Sequence, residues 1–364
     1  TYIHTYIHTY IHTYIQTYKQ TNKQTTITQE INLVSSEPIF GKLDWVAGLF
    51  YLNTEIEISI LERLDFGFDG VFDPFTTSDV YGYSGDFGFI TNSTPERDST
   101  SFYGQGTWNH SDSLRTVFGL RHTKDEVYSA VTNFYGRSGT DILETDGNKV
   151  TGRFVVEKDI DDNTMVYGSF TRGYKPGGSN LTYGREDEVA QIVVLPTFQE
   201  EIVDAFEVGL KTDLADGRAR LNAAAFLYNY EGLQYQATDP EVFEGGVGNI
   251  PDSEIYGAEL ELSTFLSDSV ILDLRMSWLD TEITADHLAL DNVESEAATN
   301  ALLGQGIGLF SNEVQIARAG RIQNVRGNEL AKTPSFTGNI AVSYTHLRAH
   351  ETDSYLVCRL LLEK

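Results

Sequence analysis

Three histidines, His4, His8 and His12, recur at every fourth position of the opening stretch TYIHTYIHTYIHTYIQTYKQTNKQ. On a helix that spacing stacks imidazoles on one face, which is the arrangement a zinc site uses. The genetic code offers a simpler source. The four-base repeat ACAT, read in triplets, gives ACA-TAC-ATA-CAT, which is Thr-Tyr-Ile-His. The later units TYIQ, TYKQ and TNKQ follow by successive single T-to-A changes. Residues 1–26 therefore read as a translated low-complexity repeat and not as native structure, since such a tract has no packed core to orient ligands.

The other end breaks with the rest of the chain in a similar way. VSYTHLRAHETDSYLVCRLLLEK, residues 342–364, resembles a translated sequencing-library adapter with a short index near Asp353 and Ser354. On that reading His346, His350 and the single cysteine, Cys358, are non-native, and both ends are set aside as a fusion scar would be. One cysteine allows no intrachain disulfide. The segment between, residues 27–341, keeps three histidines: His110 in a turn, His122 on a strand beside Arg121, and His287 in a long link. None has a serine partner in its sequence context, so no catalytic residue is expected. DIDDN at 159–163 begins like a calcium loop but lacks the glycine and distal glutamate in register, and reads as a hairpin turn. The sequons NST, NHS and NLT read as chance matches. No metal and no cofactor is expected.

The elements that carry these residues follow from composition. Twenty Tyr, twenty Phe and thirty-two Gly against eight Pro and two Met suit strands and turns better than helices. The 364-residue chain has a formal charge of −27, and the middle segment alone carries 21 basic against 50 acidic residues. Nucleic acid is excluded as a partner, because phosphate neutralisation needs clustered Lys and Arg. No apolar run approaches the length of a membrane-spanning helix, so any crossing must use strands.

Period-two alternation recurs through the middle segment. Val270, Leu272, Leu274, Met276 and Trp278 oppose Asp273, Arg275 and Ser277; Tyr256, Ala258, Leu260 and Leu262 oppose Gly257, Glu259 and Glu261. Phe206, Val208 and Leu210 likewise oppose Glu207, Gly209 and Lys211. Short polar turns, HSDS at 110–113, DIDDN, ADGR at 215–218 and LSDS at 266–269, alternate with long links near 59–98, 129–147, 175–200, 237–251 and 281–332. That alternation distinguishes the periplasmic rim of an outer-membrane barrel from its extracellular rim, and a β-sandwich has no reason for it. Trp45, Tyr51, Trp108, Tyr128, Tyr174, Tyr230 and Trp278 fall at strand ends, where an aromatic girdle belongs.

MVYGSFTRGYKPGGSN, from Met165 to Asn180, resembles a strand-and-loop signature of TonB-dependent outer-membrane receptors, and EIVDAFEVGLKTDLADGRARLNAAAFLYNYEGLQYQ resembles the hairpin after it. TQEINLVSS, LDWVAGLFY, FGLRHTKDE, NIPDSEIYGAELEL and TPSFTGNIAVSY occur in the order that family shows, so the likeness covers nearly all of residues 28–344. The resemblance implies twenty-two strands around a plug domain. This chain shows about eleven strands and nothing resembling the plug, the energy-coupling box or the final strand. The expectation is an all-β fold: a partial antiparallel transmembrane β-barrel with short periplasmic turns and long extracellular loops, over residues 27–341.

The resemblance also implies function: energy-coupled uptake of a scarce nutrient across the bacterial outer membrane, most often an iron-siderophore complex, with vitamin B12 and sugars as alternatives. Its partners would be outer-membrane lipid, the small ligand, and an inner-membrane energy-coupling complex reached through the plug. Candidate ligand contacts are Arg172, Tyr174 and Lys175 around the PGG turn, and Tyr81 and Tyr83 in an aromatic, acidic loop. Arg121, Glu207, Lys211, Glu259, Glu261, Asp273 and Arg275 are expected to face the lumen, touching plug or ligand or simply lining a solvated wall. Ferric complexes are often anionic, and an acidic segment is not their obvious host. Two other classes stay open: a secreted or surface β-rich adhesin, which would show a fixed repeat period, and an outer-membrane hydrolase barrel, which would need a Ser-His pair near the rim.

Overall fold

The computed structural model describes residues 3–9, 13–65, 88–133, 140–181, 194–238, 245–308, 311–345 and 356–362. Strands dominate, in the order β1 (Ile3–Thr9), β2 (Thr13–Val34), β3 (Leu43–Asp65), β4 (Gly88–Ser111), β5 (Leu114–Asn133), β6 (Asp141–Asp161) and β7 (Thr164–Lys175). A two-residue pair follows, β8 (Gly178–Ser179) and β9 (Thr197–Phe198), and then β10 (Glu201–Leu214), β11 (Ala219–Thr238), β12 (Gly245–Ser267) and β13 (Val270–Ile283). The link after β13 holds β14 (Leu288–Leu290), α1 (Asn292–Leu303), α2 (Asn312–Ala319) and β15 (Ile322–Asn324); β16 (Phe336–Tyr344) and β17 (Leu356–Leu362) complete the chain.

Thirteen strands form one sheet, each hydrogen-bonded to its sequence neighbour once the short β8, β9, β14 and β15 are passed over. Every pairing in it is antiparallel, as hairpin connections require. The sheet is not closed: β1 and β17 stand at its two edges. Ten of its strands, β3 to β7, β10 to β13 and β16, belong wholly or mainly to residues 27–341. Of the other three, β1 lies within residues 1–26, β17 lies within residues 342–364, and β2 starts at Thr13 and runs unbroken across position 27.

The short turns form as their residues dictate. Asp161 accepts a hydrogen bond from the Asn163 amide at 2.9 Å, closing the DIDDN turn by a side-chain mimic of the backbone. In the ADGR turn Ala215, Asp216 and Gly217 all take positive φ, a conformation glycine adopts freely and aspartate tolerates. Register shifts sit beside three such turns, at Asn109/Ser111, Asp159/Asp161 and Phe265/Ser267. An extra residue there tightens the local twist at the rim.

At the opposite rim the structure departs from the sequence expectation. Much of the long links is continued strand: β3 runs to Asp65, β5 to Asn133, β11 to Thr238, and β6 and β12 begin at Asp141 and Gly245. Backbone pairing carries the strands on into these stretches, and in β3 the alternation persists, Ile56, Ile58 and Ile60 opposing Glu55, Glu57 and Ser59. The link 281–332 contains two helices capped by Asp291 and Ser311, whose side chains accept from Glu294 and Val314 amides. The one compact hydrophobic cluster among the described residues, Val131, Val194 and Ala237 with Leu143 and Tyr235 against it, also lies at this rim.

Candidate functional site

Because directly paired residues share a face, the ladder register can be followed across the sheet. One face carries Leu49, Phe102, Leu120, Phe154, Phe170, Phe206, Leu227, Tyr256, Trp278 and Ile340, joined strand to strand through β3 to β16. All of these but the half-buried Phe170 and Leu227 are open to the surroundings, Leu120 at 67% and Phe102 at 57% exposure. A continuous apolar face of this extent is what a strand sheet presents to hydrocarbon. Ala223, Ala225 and Ala258 leave a shallow apolar groove in it between Val208 and Trp278.

The other face is polar, and it carries all seven residues expected to line a lumen. Lys211, Asn222, Glu261, Arg275 and Asn339 form one cross-strand row. Glu207, Glu259 and Asp273 share its parity, and the register through β5, β6 and β7 brings Arg121 to the same face. Ion pairs bind much of this wall together: Arg115 with Glu157 and Asp159, Arg220 with Asp213, and Arg275 with Glu261 at 3.7 Å.

Higher on the same face, the Arg97 guanidinium donates to Asp125 Oδ1 from Nε at 3.0 Å and Nη2 at 2.7 Å. Asp125 is buried, and its Oδ2 meets no hydrogen-bond donor among the described residues. Its cross-strand partner Gly147 leaves the space into which the Tyr174 hydroxyl reaches; a methyl group at 147 would collide with that phenol. Lys149 of β6 pairs with Glu200, at the far end of the link that Tyr174 opens. Three side-chain amides hold the same link to β11 and β12. Asn180 donates to the Leu195 and Val247 carbonyls, Gln234 to Pro176 and Gln199, and Asn249 to Gln199 and Gly232, each within 3.0 Å.

The residues expected around the PGG turn thus part company. Tyr174 leans across β6 toward Asp125, and Lys175 ends β7 opposite Glu201. Arg172 has the parity of Phe170, on the apolar face, where its Nε donates to Asp204 at 2.6 Å. Tyr81 and Tyr83 lie outside the described residues. The histidines are dispersed: His110 meets Thr116, His122 stacks on Phe102 with Asn148 at its Nε2, and His287 shares a 2.8 Å hydrogen bond with Tyr235. Burial pushes the His287 imidazole below its ordinary range. No group of three or more His, Cys, Asp or Glu among the described residues is placed to hold a metal ion. Arg97, Asp125, Lys149, Arg153 and the three amides were not anticipated. Period-two reading of GRFVVEKD and SFYGQG alone would have put Arg153 and Gln105 on the polar face.

An antiparallel sheet with one face for hydrocarbon and one for water, short turns at one rim and long links at the other, is a stretch of outer-membrane β-barrel wall. A family profile described as "TonB dependent receptor-like, beta-barrel" matches residues 2–355. The chain belongs to the TonB-dependent receptor family, a family of receptors and not of enzymes, located in the bacterial outer membrane. A protein of Acinetobacter baumannii described as a probable TonB-dependent siderophore receptor, PiuA, is 27% identical over 189 residues, covering 51% of this chain and 24% of the relative. Among solved structures, the ferric yersiniabactin uptake receptor FyuA of Yersinia pestis superposes with a TM-score of 0.62 at 17% identity, over 95% of this chain and 43% of its own. The siderophore receptor PiuA of A. baumannii gives 0.55 at 15% identity, over 91% and 44%. The chain spans about a quarter of the curated relative and under half of these solved structures.

Proposed function

We propose that this chain is wall from a longer receptor that takes up an iron-siderophore complex across the outer membrane, driven by an inner-membrane energy-coupling complex. The observation that carries this reading is the two-faced sheet, which aligns over nearly its whole length with barrels of siderophore receptors. On it, the polar face lines the lumen, and residues 27–341 are its native part. The clasped link between Tyr174 and Glu201 forms part of the extracellular vestibule, with Tyr174 and Lys175 as ligand contacts. Arg172, held by Asp204 on the opposite face, drops out of that contact set.

The test is a chimera. Residues 28–344 replace the matching barrel segment of A. baumannii PiuA in a receptor-deficient strain, and uptake of radiolabelled ferric siderophores is followed with and without an uncoupler. Uncoupler-sensitive uptake is expected. A chimera that reaches the surface and transports none of the ferric siderophores offered would overturn the reading.

A further inference from the structure

The apolar groove of the outer face lies beneath a patch of unbalanced acid. One cross-strand row builds it: Val208 of β10 pairs with Ala225 of β11, Ala225 with Ala258 of β12, Ala258 with Trp278 of β13, and Trp278 with Phe336 of β16. Two strands of alanine thus separate Val208 and Leu210 on one side from Trp278 and Phe336 on the other, a span of about 14 Å at the usual strand spacing. The hollow measures about 650 Å³, within the range of roughly 300–1,000 Å³ that small-molecule sites occupy. It opens toward hydrocarbon, where a polar occupant would lose its hydration without recompense.

Directly above, toward the long-link rim, the same face turns acidic. Asp280 follows Trp278 by one step of the outward alternation, and Glu254 lies two such steps from Ala258. Elsewhere at this level carboxylates have partners: Asp98 accepts from the Tyr51 hydroxyl at 2.9 Å, Glu126 from Lys124 at 2.7 Å and Asp204 from Arg172 at 2.6 Å. Asp280 accepts from Tyr256 at 2.8 Å. Glu254 and Glu282 break the pattern. They stand directly opposite each other across β12 and β13, and neither forms an ion pair among the described residues. Like charges so placed destabilise a sheet, and a cation between them relieves the repulsion. The side chains are not gathered tightly enough to ligate a metal ion, which an ammonium group does not require.

We propose that this face binds a membrane lipid with an amine-bearing head. Its alkyl chain lies in the groove over Ala225 and Ala258, and its ammonium group meets Glu254 and Glu282, about 13 Å higher along β12. Charge complementarity selects this occupant. An anionic lipid would set its phosphate against Asp280, Glu254 and Glu282, and a second copy of the wall would bring the same acids against themselves. Trp278, edge-on to Tyr256 with ring centres 5.9 Å apart, stands where groove gives way to acid, the level a girdle residue marks for headgroups. The site faces lipid and not the lumen, so it stands or falls apart from the uptake reading.

The experiment uses the whole chain folded in a neutral maltoside detergent at low salt, with Trp45→Phe and Trp108→Phe so that Trp278 alone fluoresces. Dodecylamine brominated at mid-chain is titrated in, and dodecanol brominated alike serves as the uncharged comparison. Saturable quenching of Trp278 is expected at a concentration at least 5-fold lower for the amine than for the alcohol. Glu254→Gln/Glu282→Gln should abolish that preference. Ala225→Leu, which fills the groove from an exposed position, should weaken quenching by both probes at least 3-fold. Equal quenching by amine and alcohol, a preference that survives the double glutamine variant, or quenching unchanged in Ala225→Leu overturns the proposal, as does a dimer of the chain that Ala225→Leu dissociates.

Discussion

Arg97 and Arg172 each reach an aspartate through two guanidinium nitrogens, Arg97 on one oxygen and Arg172 on both, and their surroundings separate them further. Asp125 is 1% exposed, whereas Arg172 is half exposed and Asp204 about a quarter. Arg97→Ala strands a buried charge and is expected to cost about 3 kcal/mol, read as a lower urea midpoint in detergent. Arg172→Ala is expected to cost no more than about 1 kcal/mol in the same measurement. His287 supplies a pH dependence. Its folded pKa lies below the unfolded value, so its contribution is complete above about 6.5 and is lost as pH falls toward the folded pKa. The Val325 amide, which donates to the His287 carbonyl, should therefore be less protected, relative to its intrinsic exchange rate at each pH, at pH 5 than at pH 7.5, and His287→Gln should abolish the difference in protection. Neither behaviour was legible in the sequence. Which of two Arg–Asp contacts is buried, and which tyrosine meets a histidine 52 positions away, are products of tertiary register.

At the scale of elements, the strand faces were legible and the strand ends were not. Each alternating run, such as VILDLRMSW in β13, falls on the faces its period predicts, because a one-residue slip would exchange lipid and lumen sides for the whole strand. Beyond the apolar band that penalty falls away, and the ladder runs on into stretches whose Gly, Asp, Asn and Glu read as links. The PGG link shows the same limit. Its glycines announce a turn, but Asn180, Gln234 and Asn249 are scattered over 70 positions and meet only in the fold. Asn249→Ala removes the acceptor of the Gln199 amide and two donated bonds. At about 1 kcal/mol each, their loss should speed exchange of the Gln199 amide by roughly 10-fold or more while leaving β10 and β11 protected.

For the whole molecule, class and charge were legible and closure is the governing fact. Aromatic richness, hairpin rhythm and ordered family phrases sufficed for an open barrel wall, and the sheet has that form. In hydrocarbon each unpaired edge group costs several kcal/mol. The chain alone is therefore expected to aggregate in liposomes and to give no discrete heat-modifiable band on electrophoresis; a sharp band of that kind would mean that the edges find partners. Adding the missing strands in trans should restore insertion only if they pair with both edges.

The length of β3, β4 and β12, 23, 24 and 23 residues, has one more consequence. At about 3.3 Å per residue such strands reach some 75 Å, far more than an apolar band about 25 Å tall requires even at a 40° tilt. The surplus rises from the membrane as a stiff palisade. Whatever approaches the cell from outside, whether nutrient, antibody or phage, meets this fence and its crest well before it meets lipid.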